Sequence, residues 1–588
     1  MFFYLDYRFS ADAPGVGIQL HDSAEQAFPG TNLLHVQTGF QRLESIDTPG
    51  GRLLLLGDPV FRAAGLSPEK ISQSAGAVNE GALYKQIRGH YYWFLLHKGG
   101  IGCGASFGAI FPVYYYREAG RIALSSSSFF LAGRVQADTR DRRNLLERLL
   151  FNYPFFNSTW WSDIRLLDAH RYLRLDSRGA SIDGQFELNR HFGTGVNQSR
   201  QHLSQLIEAF DDECRLFLPQ VPFGISFTGG FDGRTLVAAA LRAGRNDFIT
   251  YSFGRPGASD VTFPAKQTKQ LGLSYFPINL DDSYVQRHAL EAGLSFMRLT
   301  EYNGNFGRPH YEYAARQLSD RVGYILTGNF GSELFRALHQ PGVMMSEALI
   351  GVFEARDNTW KDALVRTAGQ WDKPLFSAEL DELIADLENY LAPMAGWAPN
   401  HKFYYFVFNE IFRKYFGPEL VMQSHYLNNR TPFLSLPFFR VLNDTIWSGV
   451  HSNLFEKQKN KRLKGQMFYS AFLRQADKRL YRQPTSKGYS PADVLETWRR
   501  PLLLGRVALK KFARTDEADS NSVEAFFHRY SPQLAGLINA AADPTLSRGG
   551  LAARLQQPLQ NDQLEQLIKY YSIAAGWQAA GANTAVLT

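Results

Sequence analysis

The sequence predicts two kinds of architecture in one chain: an α+β region of antiparallel sheet over about the first 190 residues, then an α/β region built on parallel sheet. Three observations carry this. The runs Tyr91–Leu96, Phe111–Tyr116 and Arg121–Ser125 are rich in aromatic and β-branched residues and separated by glycines, as antiparallel strands are. The stretch Phe223-Gly224-Ile225-Ser226-Phe227-Thr228-Gly229-Gly230-Phe231-Asp232-Gly233-Arg234-Thr235 leads from an apolar run through a Gly-Gly turn into the helix former Leu236–Leu241. A strand over Phe248–Gly254, a turn to Ser259-Asp260 and a helix over Val261–Leu271, closed by Gly272, complete a βαβ unit.

A chain of 588 residues exceeds one core, so two or three domains are expected. The composition, 45% hydrophobic and 20% charged, is that of an ordinary globular protein. The net charge of +7 is spread along the chain without a basic run interleaved with aromatics, so nucleic acid is not an expected partner. Cys103 and Cys214 are too few for a disulfide framework or a zinc site, which suits a reducing compartment. Met1–Arg8 has no leader pattern and no apolar run reaches the roughly 18 residues of a membrane span. The expectation is a cytoplasmic protein with no membrane partner.

The glycine turn is where chemistry is expected. Glycines let backbone approach an anion, and the free amides of a helix's first turn point at it. Thr228 adds a hydroxyl, and Asp232 a carboxylate suited to a magnesium ion bridging phosphate oxygens. A Gly-rich strand-to-helix turn with Asp232 as a cap reads the same residues without a ligand. The spacing is not that of a Walker loop, since no Gly-Lys-Ser/Thr follows.

Thr228-Gly229-Gly230-Phe231-Asp232 resembles the Ser-Gly-Gly-x-Asp-Ser pyrophosphate loop of ATP pyrophosphatases that form adenylates, with Thr for the first Ser and Gly233 for the last. Further blocks, in the same order, resemble the asparagine synthetase family. Gly89–Phe94, Pro112–Tyr115 and Ser125–Leu131 are similar to its glutaminase-like domain, and Thr159–Leu175 to that domain's closing hairpin. Such a glutaminase needs a cysteine at position 2, whose thiol attacks the amide; here position 2 is Phe, and mid-chain Cys103 reads as a core residue. Thr327-Gly328-Asn329-Phe330-Gly331-Ser332-Glu333-Leu334-Phe335 is similar to the block Ser-Gly-Glu-Gly-Ala-Asp-Glu-Leu-Phe, with Asn329 where the family has Glu, or Tyr in β-lactam-forming relatives, and Ser332 where it has a magnesium-site Asp. Asn428–Ser435 resembles Glu-x-Arg-x-Pro-Phe-Leu-Asp, keeping Arg430, which reads as a tether between helices, but carrying Asn428 and Ser435 at the acidic positions. A helix over Lys464–Leu480 and the loop Tyr481–Tyr489 are similar to the family's helix and Arg-x-Lys-x-Gly-Phe loop, with Lys487 as the lysine that neutralises the α-phosphate.

The resemblance implies three parts: a degenerate glutaminase-like sandwich of the N-terminal-nucleophile type over residues 1–190; an α/β ATP-pyrophosphatase (adenine nucleotide alpha hydrolase-like) synthetase domain over 191–515; and a helical extension over 516–588. An amphipathic helix is expected over Asn197–Leu218, and helical segments over Ser520–Asn539 and Pro558–Trp577, these two joined by the loop Asp543–Gly550. It implies contacts to ATP from Ser226, Thr228, Gly229, Gly230, Asp232, Gly233, Arg234, Gly254, Thr327 and Gly328, with Asp232 also holding Mg2+ and Asp260 nearby. Lys487 and Glu333 are the implied catalytic residues. The implied activity is an ATP-dependent, AMP-forming carbon-nitrogen ligase without glutaminase activity. It would adenylate a small-molecule or peptide carboxylate and pass the acyl group to an amine or ammonia, as in lactam, macrolactam or conjugate biosynthesis; β-lactam synthetases and lasso-peptide cyclases likewise keep a disabled N-terminal domain. A homodimer is the candidate assembly. The alternative is a non-catalytic scaffold or regulator that retains nucleotide binding.

Overall fold

The computed structural model describes residues 1–9, 16–21, 31–48, 50–61, 82–192, 200–335, 344–354, 359–371, 373–452, 464–486, 488–499, 521–556 and 563–582. The first part of the chain supplies β1 (Phe2–Arg8), β2 (Gly17–Leu20), β3 (Leu33–Gln37), β4 (Arg42–Thr48), β5 (Gly51–Phe61), β6 (Ile87–His97), β7 (Gly100–Ala105), β8 (Tyr114–Glu118), β9 (Arg121–Ser125), β10 (Ile164–Leu166), β11 (Arg171–Asp176) and β12 (Gly179–Gly184). They form two six-stranded sheets, ordered β10-β8-β9-β1-β3-β2 and β12-β11-β7-β6-β5-β4. All pairs are antiparallel except β2 with β3. The sheets touch across a shared core, where Phe3 lies edge-on to Tyr92 and Phe94 with ring centroids 4.9 and 5.0 Å apart. Phe2 is buried edge-on against Phe130, and Cys103, also buried, has its thiol pKa pushed up by that burial.

The hairpin expected over Thr159–Leu175 is not formed. β10 pairs with β8 in one sheet, whereas β11 turns back onto β12 in the other. The hairpin turn lies further on, where Asp176 Oδ1 accepts from the Arg178 amide at 2.8 Å, a local bond that closes a tight turn.

After helix α1 (Arg142–Phe151) and the long helix α2 (Arg200–Phe217), the chain builds a second architecture from β13 (Phe223–Ser226), helix α3 (Phe231–Arg242), β14 (Phe248–Gly254), helix α4 (Ser259–Leu271), β15 (Ser274–Asn279), β16 (Tyr324–Leu326) and β17 (Asn428–Arg430). These five strands form one sheet ordered β15-β14-β13-β16-β17, parallel throughout. β13 leads to β14 on one side and the later β16 lies on the other, so the strand order reverses between β13 and β16. In open parallel sheets the crevice at the carboxyl ends of such a pair is where ligands bind.

The two architectures are tied by buried polar contacts. Arg430 makes a bidentate pair with Asp58 at 2.7 and 2.9 Å and stacks over Tyr324, so it tethers β17 to β5 rather than helix to helix. Arg88 pairs with Glu213, which also accepts from Ser435 Oγ at 2.6 Å. Next come α5 (Gly417–Gln423), α6 (Lys464–Ala476) and a separate short helix, Lys478–Arg482, begun where Asp477 caps two backbone amides. The single helix expected over Lys464–Leu480 is therefore broken at an Asp cap. The last helices, α7 (Val523–Ile538) and α8 (Leu564–Gly581), flank Asp543–Gly550, which holds the short helix Pro544–Arg548 rather than a plain loop. α8 packs on α1, with Trp577 under the Arg140 guanidinium at 4.3 Å. Among the described residues no helix is long and apolar enough to cross a membrane.

Candidate functional site

Two loops border the crevice position at the carboxyl ends of this strand pair, Phe227–Gly230 after β13 and Thr327–Phe330 after β16. The first is built for a sharp reversal. Gly229 has φ of +73°, and a Cβ there would lie 2.8 Å from the Phe263 ring and 3.0 Å from Ser486 Cβ. A larger residue would be both strained and obstructed. α3 begins directly on the strand end, since a Cβ on Gly233 would come within 2.2 Å of the Ser226 carbonyl oxygen. Gly230 is the N-cap without a side chain to satisfy the first amides, so the donors of the first turn, which includes Asp232, remain for other partners.

Asp232 joins the loops. Its Oδ2 accepts from Ser332 Oγ at 2.8 Å, while its buried Oδ1 has no hydrogen-bond partner. Gly328 makes this approach possible: a Cβ on it would stand 2.5 Å from Asp232 Cβ. A buried carboxylate oxygen without a donor is costly unless something else meets it. That fits Asp232 as one ligand of a magnesium ion, which needs only one or two carboxylates when phosphate oxygens supply others. Among the described residues no group of three or more His, Cys, Asp or Glu side chains is arranged to hold a metal.

Of the other predicted residues, Ser226 ends β13 in register with Tyr251 of β14, Thr228 is half-buried in the loop, and Gly254 ends β14 with its carbonyl accepting from the Leu280 amide at 2.9 Å. Thr327 Oγ1 donates to Asn429 Oδ1 at 2.8 Å. Arg234 departs from expectation. Its guanidinium donates to the carbonyls of Leu480, Gln483 and Pro484 and to Gln267 Oε1, and burial without a charged partner lowers its pKa to about 9. It ties the segment after the Lys478–Arg482 helix to α3 instead of facing the crevice. Glu333 is half-buried in the short helix Gly331–Phe335, and Asp260 lies in the first turn of α4. Lys487 lies outside the described residues. Its neighbour Ser486 donates its amide to the Gly229 carbonyl at 3.0 Å, so this segment meets the glycine turn.

Sequence reasoning missed Glu419, on α5. Its carboxylate is buried behind Asn329, paired with Arg308 at 3.6 Å and accepting from Gln423 Nε2 at 3.3 Å. Burial pushes its pKa up, against the opposing pull of Arg308. Asn329 faces it without reaching hydrogen-bond geometry, and its buried Nδ2 has no partner. A polar chain Thr327–Asn429–Gln423–Glu419–Arg308 thus runs from the β16 loop to Arg308. Nothing local in Gly417-Pro418-Glu419 distinguishes this carboxylate; only the pairing of β16 with the distant β17 brings it here.

Comparison with models of known protein families and with curated proteins finds no match to this chain.

Proposed function

We propose that the chain is an ATP-dependent, AMP-forming carbon-nitrogen ligase that adenylates a substrate carboxylate, releases pyrophosphate and passes the acyl group to an amine or ammonia. The observation that carries this reading is Asp232: it stands in the first turn of α3, at the point where the strand order reverses, with one carboxylate oxygen unpartnered between the two crevice loops. In this reading residues 1–190 are a degenerate glutaminase-like sandwich of N-terminal-nucleophile type, 191–515 an ATP-pyrophosphatase synthetase domain and 516–588 a helical extension, in a cytoplasmic enzyme that pairs as a homodimer.

The amides of Gly229, Gly230 and the first turn of α3 receive phosphate oxygens, and Thr228 adds a hydroxyl. Asp232 Oδ1 would hold the magnesium ion, which when bound offsets phosphate charge. Lys487 supplies the cation for charge developing at the α-phosphate, and Glu333 a nearby carboxylate. Glu419, with its raised pKa, suits acceptance of a proton from an attacking amine.

The alternative, a nucleotide-binding scaffold, is favoured by one feature: Ser332 occupies Asp232 Oδ2 where the family resemblance leads one to expect a second acid. Exchange of labelled pyrophosphate into ATP, run with a panel of carboxylates, separates the two readings. Exchange that is lost in Asp232→Ala, and that falls roughly 10²- to 10³-fold in Lys487→Ala, supports the ligase. Nucleotide binding without exchange for any carboxylate supports the scaffold.

A further inference from the structure

Arg308, the partner of Glu419, also lines a pocket of about 480 Å³ walled by α1, the loop Tyr302–Gly307, Tyr415 and α8. The loop is fastened to α8 where the Phe306 amide donates to Ser572 Oγ at 2.9 Å, so the C-terminal helix forms part of the wall. The volume is in the range of small-molecule sites.

Charge in this pocket is segregated. Arg148, 3% exposed, stacks on Trp160 at 3.9 Å and donates to Asn144, Asn303 and the Tyr302 carbonyl, all neutral. Lys569 Nζ rests on the Leu149 carbonyl at 3.1 Å. No carboxylate among the described residues lies within ion-pair distance of either cation. A buried cation such as Arg148 is seldom left so, because losing water without an ion-pair partner is expensive, and Glu147, acting on it from beyond ion-pair distance, offsets that cost only in part. Burial lowers the pKa of Arg148 to about 9 and of Lys569 to about 8, and a bound anion would restore both. At the mouth the lining changes sign, with Glu347 and Glu565 exposed.

We infer that this pocket binds a zwitterionic small molecule of the amino-acid type, its carboxylate received by Arg148 and Lys569 and its ammonium by Glu347 and Glu565. The two glutamates disfavour a phosphate or a dicarboxylate, whose second negative charge would face them. Binding does not depend on the ligase reading; that the ligand is the ligase's acceptor or donor substrate does rest on it, through Arg308, which touches both the pocket and Glu419.

Calorimetry on the full chain without nucleotide tests this, with the twenty proteinogenic amino acids, succinate and inorganic phosphate as probes. At least one amino acid should bind with Kd below about 1 mM, more tightly than succinate or phosphate. Lys569→Met should weaken it by roughly tenfold or more. Glu565→Lys should reverse the preference in favour of succinate. Both positions are half-buried or exposed, so these variants remain informative where an Arg148 variant fails to fold. No binding by any amino acid, tighter binding of phosphate or succinate to the unaltered chain, or an affinity unmoved by Lys569→Met would overturn the assignment. ATP exchange is read in a separate assay, so failure here leaves the nucleotide crevice standing.

Discussion

Replacing Gly328 by alanine should damage fold and activity together, for a reason that can be worked from distances. The new Cβ would stand 2.5 Å from Asp232 Cβ and 3.4 Å from its carbonyl carbon. Carbon atoms settle about 3.5–4.0 Å apart, so one crevice loop must withdraw by about 1 Å. The obstacle is the root of a side chain on a helix, which cannot swing aside. Overpacking of this kind costs about 1–3 kcal/mol, which should appear as a lowered unfolding midpoint by circular dichroism. A displacement of about 1 Å at a positioned group costs roughly 10²-fold in rate, so pyrophosphate exchange should fall on that scale. Gly230→Ala is the contrasting case. Gly230 has φ of −78°, and the atom nearest to a methyl at this position is Thr228 Oγ1 at 3.8 Å. Its cost to the fold should stay under about 1 kcal/mol, the difference between Gly and Ala as caps. Nucleotide affinity should nevertheless fall, because the methyl intrudes where phosphate oxygens approach. An unshifted midpoint with normal exchange in Gly328→Ala, or normal nucleotide binding in Gly230→Ala, would refute the reasoning.

Arg430→Met strands the buried Asp58 carboxylate and should destabilise the chain by about 3–5 kcal/mol, with Asp58→Asn relieving part of that loss in the double variant, as read by chemical denaturation. Cys103 and Cys214 are buried with thiol pKa values pushed up, so a thiol reagent at pH 8 should label neither until the chain is unfolded. His90 is buried beside Thr431, and burial lowers its pKa to about 4, so between about pH 6.5 and 4 only the unfolded chain takes up its proton. Its contribution to stability is therefore present above pH 6.5 and lost as pH falls, with a slope of about 1.4 kcal/mol per pH unit. Comparing denaturation of wild type and His90→Gln across this range should show a shallower acid slope in the variant; parallel slopes would contradict the assignment.

The architecture was legible where local signals and tertiary demands agree. The glycine turn before an alanine-rich run could only be a strand entering a helix, and the structure forms both, as Phe223–Ser226 and Phe231–Arg242. Helix α2 starts at Arg200 and ends at Phe217, within three residues of the expected limits. What was not legible depends on distant partners. Arg234 adjoins the loop in sequence, yet a long side chain on α3 reaches wherever acceptors are offered, and the carbonyls of residues 480–484 offered them. The β10 and β11 runs resemble a hairpin locally, but each found its partner in a different sheet. Glu419 came to lie beside Asn329 of the β16 loop only through strand pairing across about a hundred residues of intervening chain.

Titrating ATP with magnesium into the full chain and into Asp232→Ala tests the central claim most directly. The account predicts heat of binding for the unaltered chain and its loss, or a weakening of at least roughly tenfold, in the variant. No heat in either, or the same affinity in both, would contradict it.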